Sequence, residues 1–347
     1  MKNEQVVNIF CKGVCYLHVS GNTYVLKDNR RYIVKAEDDR IVFSGRSFSS
    51  DIEIIPKGES SRILVNSKEY RGNIFLNLVN GKISVINELD VEEYLYGVLP
   101  KEVVASWPEE SLRAQAVISR TFALRSLSLH MKEGFNLCDT TLCQVYVGVD
   151  SENENTNRAV NETRGEVLFY NGKLASTFFH SSCGGHTENI EEVWGGTAPK
   201  YLKGRSVKYS NGYKVDYWKN KVSKDFITQR LSDNGYEVGY IEKIKMIGKT
   251  DSGRTKILKI YGDKQTIELN AAKFRVLVDP WHIKSTLFEE ISEKGDSFEF
   301  SGLGWGHGVG LCQESARNMA DKGFDYEKIL KYFYPGTYLA KWDEEEQ

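Results

Sequence analysis

GVLPKEVVASWPEESLRAQAVISRTFAL, residues 97–124, encodes the end of one helical segment, a turn and the start of a second helix. Pro100 lacks a backbone donor and biases Leu99 away from the helical region, so the first segment is expected to stop there. Glu102 then falls on the connecting turn. Ser106 and Glu109 have the S-x-x-E spacing of a capping box, with Pro108 in the first turn of the next helix, where a missing N–H costs nothing. Glu109 and Glu110 suit the positive end of its dipole. From Leu112 to Leu127 the composition is that of a buried helix, yet Gln115, Ser119 and Arg120 interrupt it. Buried polar groups must be hydrogen-bonded, so these three either tie down backbone or line a pocket. A carboxylate beside such a helix is a candidate catalytic group, although a lone Glu near a helix start is more often a solvated residue.

Upstream, residues 5 to about 88 alternate apolar and polar positions in short runs: TYVLKD, RYIVKA, RIVFSG, DIEIIP, RILVN, GNIFLNLV and KISVINEL. Turn signals such as Ser20-Gly21-Asn22 and Asn80-Gly81 separate them, the pattern of an all-β region. Asp90 with Glu93 three residues on reads as a helix start. The 347 residues suffice for about two domains. A net charge of −2 without a basic stripe argues against a nucleic-acid partner. No apolar run approaches the roughly 18–20 residues of a membrane-spanning helix. The N-terminus, MKNEQVVNIFCKGVC, has no signal-peptide apolar region.

Downstream, the helix is expected to continue to about His130. Cys138 and Cys143 form a C-x4-C pair eight residues beyond that histidine. Structural zinc, a local disulfide and free thiols all remain open, because a fourth ligand is not evident. A polar helix is expected from Glu152 to about Glu162, then a hairpin turning at Asn171-Gly172 and leading into FHSSCGGHT, residues 179–187. Residues 205–300 alternate strand-like runs with the helical segments KDFITQRLSDNG and AAKFRVLVD and read as support. Near the C-terminus, GLGWGHGVGLCQ (302–313) places glycines on alternate positions around Trp305 and His307. It has no G-K-[ST] ending and is not a phosphate loop. Its glycine density costs conformational entropy, which close backbone contacts would have to offset. Helices are expected at 311–322, ended by Gly323, and at about 325–333.

Three blocks in this order resemble the family of the stage II sporulation protein SpoIID and the amidase enhancer LytB. They are LYGVLPKE (95–102) with Ala114–Val117 and Ser119–Thr121, then FHSSCGGHT (179–187), then Gly304–Gln313. The resemblance covers about residues 55–340. It implies an α+β fold: a SpoIID-like catalytic core of helices and antiparallel strands with an N-terminal all-β region. The expected division is an accessory region 1–88, a core of 89–205 and 290–340 around Glu102, and a supporting insertion at 206–289.

The implied activity is lytic transglycosylation: the bond between N-acetylmuramic acid and N-acetylglucosamine in peptidoglycan is cut without water, leaving a 1,6-anhydro end. Glu102 matches the family's catalytic acid. Ordinary glycosidases need two carboxyl groups; here the sugar's own 6-hydroxyl is the nucleophile, so one Glu with a raised pKa serves as acid and then base. Arg120 matches a position tied to activity, and Gln115, His180, Ser181, His307 and Gln313 are expected to line the glycan groove. No cofactor is required for catalysis.

Some members bind zinc in the segment matching 130–146, which makes Cys138 and Cys143 candidate ligands, with Leu142 standing where a histidine would help. Cys183 and Cys312, in motifs that both face the cleft, are expected to be neighbours or a disulfide. The implied partners are peptidoglycan glycan strands and, in the alternative reading, a cell-wall amidase that a non-catalytic glycan-binding module would enhance. A substrate outside the cytoplasmic membrane implies the cell envelope, with Met1 replacing a removed leader or anchor. A metal-dependent hydrolase built on His180, His186 and His307 fits less well, since no compact ligand spacing such as H-E-x-x-H is present.

Overall fold

Alternation of buried and exposed side chains makes the N-terminal third a sheet. The computed structural model describes residues 4–210 and 216–342; Met1 lies outside them. Nine strands form the sheet: β1 (Val6–Val19), β2 (Asn22–Leu26), β3 (Arg30–Glu37), β4 (Arg40–Phe43), β5 (Arg46–Phe48), β6 (Ile52–Val65), β7 (Lys68–Tyr70), β8 (Asn73–Val79) and β9 (Lys82–Glu88). Their order is β5-β4-β3-β1-β6-β8-β9, with β2 on β1 and β7 on β6. Val7, Ile9, Ile52, Ile54, Ile63, Val65, Ile74 and Leu76 build its core. DIEIIP and RILVN, expected as two strands, are one: β6 pairs with β1 through Glu53–Lys57 and again through Arg62–Val65.

The β1–β6 register slips between Lys12 and Val14, at Gly13, which has φ +85°. This bulge draws two wholly buried cysteines together: Cys11 and Cys15 form a disulfide with their Cα atoms 6.1 Å apart. Four residues of regular strand would span about 13 Å. This pair was not foreseen.

Asp90 caps α1 (Val91–Glu102) by accepting from the Glu92 N–H at 2.8 Å. The helix runs through Pro100 rather than stopping there, so Glu102 is its last residue and not part of a turn. In the final turn a proline removes a single rung of the ladder, and burial of Leu95, Val98 and Leu99 holds the rest. The second helix, α2 (Glu109–Arg125), starts at Glu109, with the Pro108 carbonyl accepting from Ser111 N–H, and ends five residues before His130. The helix α3 (Glu154–Glu162) is capped by Asn153.

The chain divides into two compact units: Met1–Trp107, Ser119–Val167 and Lys341–Gln347 in the first; Pro108–Ile118 and Leu168–Ala340 in the second. This differs from the expected partition. The β-rich region shares a unit with the Glu102 helix, since Arg71 pairs with Glu152 through two hydrogen bonds of 2.6 and 2.9 Å and Asn87 accepts from the Tyr146 hydroxyl at 2.7 Å.

Within the second unit, β13 (Tyr217–Ser223), β17 (Phe288–Lys294) and β18 (Ser297–Leu303) form one sheet, and β14 (Ile241–Lys249), β15 (Thr255–Gly262) and β16 (Thr266–Asn270) another. Helices α5 (Lys224–Ser232) and α6 (Ala271–Val278) complete that core. A separate core gathers Ala114, Val117 and Ile118 with β10 (Glu166–Tyr170), β11 (Lys173–Leu174), α7 (Gln313–Asp321) and α8 (Tyr326–Phe333). Here α7 starts at Gln313, not 311, because Leu311–Cys312 is a strand, β19, paired in parallel with β12 (Phe179–His180). α4 (Ile190–Trp194) and β20 (Tyr338–Lys341) complete the described elements longer than a single 3₁₀ turn.

Candidate active site

Glu102 and Arg120, with Cys138 and Cys143, belong to the first unit; Gln115, His180, Ser181, His307 and Gln313 belong to the second. At the end of α1, burial pushes the Glu102 carboxyl up to about 7, against one hydrogen bond from the Val145 backbone N–H that favours the carboxylate. Tyr94, on the same helix, lies close enough to Glu102 and Cys143 to feel both charges. Burial raises its phenol well above the usual range, so it stays protonated. Its hydroxyl donates to Gln144 Oε1 at 3.3 Å. The segment that holds the cysteines thus also supplies the Glu102 hydrogen bond.

That segment is seated by α1 itself. A Cβ on Gly97 would fall 2.6 Å from Cε2 of Tyr146, so this helix position has room for hydrogen only. The Tyr146 ring packs tilted against Tyr94 at 5.2 Å between centroids, and its hydroxyl is anchored on Asn87. Val145 and Gln144 carried no signal in the sequence: one acts through its backbone, and the other is a buried amide inside a loop.

Arg120 requires a correction. It is wholly buried, and its fork is committed: Nε to Glu92 Oε1 at 2.9 Å, Nη2 to Glu92 Oε2 at 2.6 Å, Nη1 to Glu166 O at 3.0 Å and Nη2 to Val160 O at 3.2 Å. So engaged, its fork is turned to protein partners rather than to solvent. It anchors the first turn of α1, ten residues before Glu102, to α3 and β10. Glu92, its partner, was not singled out in the sequence; the helix-start pattern rests on Asp90 and Glu93.

The 130–146 segment gathers three donors. One His130 nitrogen and the Cys138 and Cys143 sulfurs lie within 4.8 Å of one another. The two sulfurs are 3.2 Å apart, and Cys143 Sγ is 3.4 Å from His130 Nε2. Glu133 holds His130 Nδ1 at 2.5 Å, the carboxylate–histidine arrangement typical behind a metal ligand. Burial would raise the Cys138 thiol, but hydrogen bonds from Thr140 and Cys143 bring it down to about 7. These residues fit a zinc ion. The third donor is His130, while Leu142 points away, 82% exposed. A cavity of about 560 Å³ in the first unit is lined by Tyr94, Tyr146, Leu124, Phe135 and Cys138; Glu102 is not on its wall.

In the second unit, the pairing of β12 with β19 sets FHSSCGGHT against GWGHGVGLC, with His180 opposite Cys312. Ser182 and Trp305 exchange backbone hydrogen bonds of 3.0 and 2.8 Å. The alternate glycines answer this approach: a Cβ on Gly308 (φ +86°) would meet the Arg254 guanidinium carbon at 2.7 Å, and one on Gly310 the Phe178 carbonyl at 2.0 Å. His180 and His307 pack ring to ring at 5.5 Å, and burial lowers both imidazoles. His307 Nδ1 accepts from Val309 N–H, and its ring sits 5.0 Å from Trp194. Gln115 and Gln313, both expected in a groove, are buried and bonded to each other at 3.3 Å. Ser181 is half-buried and binds through its carbonyl, which accepts from Glu314 N–H.

Residues 79–170 match the family described as "Stage II sporulation protein". Residues 206–310 match a domain of unknown function (DUF8618). An uncharacterized protein of Brachyspira hyodysenteriae is 35% identical over 282 residues, 80% of this chain and 74% of that protein. The stage II sporulation protein D of Bacillus subtilis is 30% identical over 74% of this chain and 76% of its own length. The amidase enhancer of the same organism is 29% identical over 92% of this chain, which spans only 51% of that longer protein.

Proposed function

The chain belongs to the SpoIID/LytB family, and from that premise we propose that it is a peptidoglycan lytic transglycosylase acting in cell-wall remodelling. The observation that carries the reading is Glu102, a helix-end carboxyl whose burial raises it to about 7. A group in that range is still substantially protonated at neutral pH and can act in both directions.

In the proposed reaction Glu102 protonates the glycosidic oxygen as the C1–O bond breaks through an oxocarbenium-like state. The 6-hydroxyl of the same muramyl residue then bonds to C1 and gives its proton to the Glu102 carboxylate. The acid is restored and no water is consumed. Val145 N–H orients the carboxylate, and the Arg120–Glu92 pair fixes the helix beneath it. A zinc ion on His130, Cys138 and Cys143 would be structural, closing the loop that presents Val145.

A cell-envelope location is part of the proposal. The Cys11–Cys15 disulfide supports it, since such bonds persist in oxidising compartments. Among the described residues no helix is long and apolar enough to cross a membrane.

The test is incubation of the protein and its Glu102→Gln variant with peptide-free glycan strands, with products read by mass spectrometry. Anhydro-ended fragments from the unaltered protein alone are expected. Reducing ends, heavier by one water, would sink the lytic step. Retained glycan binding without cleavage by either would move the reading to an amidase enhancer.

A further inference from the structure

The second unit encloses another set of soft donors, apart from the residues around Glu102. His180 and Cys183 have H-x-x-C spacing, and Cys312 lies opposite His180 across the β12–β19 pair. We propose that His180, Cys183 and Cys312 bind a structural zinc ion that clamps the second glycine-rich motif to the third.

One imidazole nitrogen and the two sulfurs lie within 4.8 Å of one another. Tetrahedral zinc, with bonds of about 2.0–2.3 Å, holds its ligands roughly 3.5–3.8 Å apart. Closure by about an ångström, within the reach of small side-chain rotations, makes the site. His180 Nδ1 is 3.2 Å from the Val309 carbonyl. That bond places its proton on Nδ1 and leaves the Nε2 lone pair for a metal, the usual backing of a metal-bound histidine. Nε2 is buried and is turned toward the Cys183 thiol within the cluster, with no oxygen or nitrogen partner.

The sulfurs are equipped in the same way. Cys183 N–H donates to Cys312 Sγ at 3.2 Å, and the Ser315 hydroxyl lies 3.0 Å from Cys312 Sγ and 3.9 Å from Cys183 Sγ. The His130 cluster repeats the pattern, with Cys138 N–H 3.4 Å from Cys143 Sγ. Two thiolates and an imidazole favour zinc over magnesium or calcium. Cys183, Cys312 and Ser315 have no exposed surface and His180 has little, which suits a closed structural site rather than a catalytic one. The competing chemistry, a Cys183–Cys312 disulfide, would satisfy the sulfurs but strand His180 Nε2.

Zinc per chain would be counted by elemental analysis and native mass spectrometry on the full chain, and on Cys138→Ser/Cys143→Ser and Cys312→Ser variants. Two ions are expected in the unaltered protein and one in each variant. Cobalt loaded into Cys138→Ser/Cys143→Ser should still give sulfur-to-cobalt charge-transfer bands. Loss of all metal from that folded variant would overturn the proposal. Peptide mapping of the unaltered protein without reduction needs no variant: a Cys183–Cys312 link, or a single zinc with both thiols freely alkylated, would overturn it equally.

Discussion

Replacing Arg120 by Met removes a cation from a site closed to solvent. Four hydrogen bonds disappear, two of them to Glu92, whose carboxylate then keeps the Gly165 N–H at 2.8 Å while staying 3% exposed. Removing one partner of a buried ion pair costs about 3–5 kcal/mol, because the other charge stays buried. Against a typical net stability of about 5–15 kcal/mol this is a large loss. Urea denaturation of Arg120→Met, Glu92→Leu and the double variant would measure it. Each single change should lower stability by about that amount, and the double change by clearly less than their sum. Glycan binding per folded molecule should be unchanged in Arg120→Met. If stability held while glycan binding disappeared, Arg120 would be a ligand of the sugar and the assignment of a positioning role would be wrong.

Glu102 links function to pH. Its carboxyl is raised from 4.5 to about 7 in the folded protein, so the folded state holds a proton that the unfolded chain releases. Stability present below pH 4.5 is lost as pH rises to about 7, and Glu102→Gln, which cannot ionise, keeps it. The variant should gain roughly 3 kcal/mol on the unaltered protein across that interval; parallel stability profiles would contradict the burial argument. Glycan cleavage should decline above about pH 7, as the acid form is depleted. Gly97→Ala puts a Cβ 2.6 Å from the Tyr146 ring. The expected cost is about 1–3 kcal/mol, measured by thermal denaturation, and Gly97→Ala should cost clearly less when made in a Tyr146→Ala background. Replacing Cys11 and Cys15 by Ala opens a five-residue loop and should cost roughly 2 kcal/mol in the same measurement; no loss would mean the bond is absent in solution.

The β-sheet was readable because each strand is half-buried, so inside and outside alternate along the sequence, as in the pattern of β1. The join between DIEIIP and RILVN was hidden by the polar residues 58–61, and the three-residue strands β5 and β7 were not read at all. Pro100 misled because packing of Leu95, Val98 and Leu99 outweighs one missing rung near a helix end. The glycines of the third motif signalled close approach correctly, but not to what: the Arg254 guanidinium and the Phe178 carbonyl come from distant parts of the chain. Arg120 could be placed in a buried helix from its apolar neighbours, yet nothing local says that its partner is Glu92, 28 residues earlier. Gly97 sits in the quoted motif without a left-handed backbone, and its reason is a ring 49 positions later. Such pairings depend on the fold.

The short disulfide of the first strand bears on how this chain is made. Six cysteines can be joined into three bonds in 15 ways. Cys11 and Cys15 are four residues apart, so their encounter closes a very small loop and needs no tertiary structure to precede it. An oxidant meeting the nascent chain should therefore join this pair, or Cys138 with Cys143 five residues apart, before any pair that includes Cys183 or Cys312. The four thiols at 138, 143, 183 and 312 are spared only if burial, or the zinc proposed for them, arrives before a second oxidising encounter. A producer of the recombinant protein accordingly faces opposite demands at the two ends of one polypeptide. Brief oxidation with zinc already present is the order of events that the arrangement of these cysteines favours.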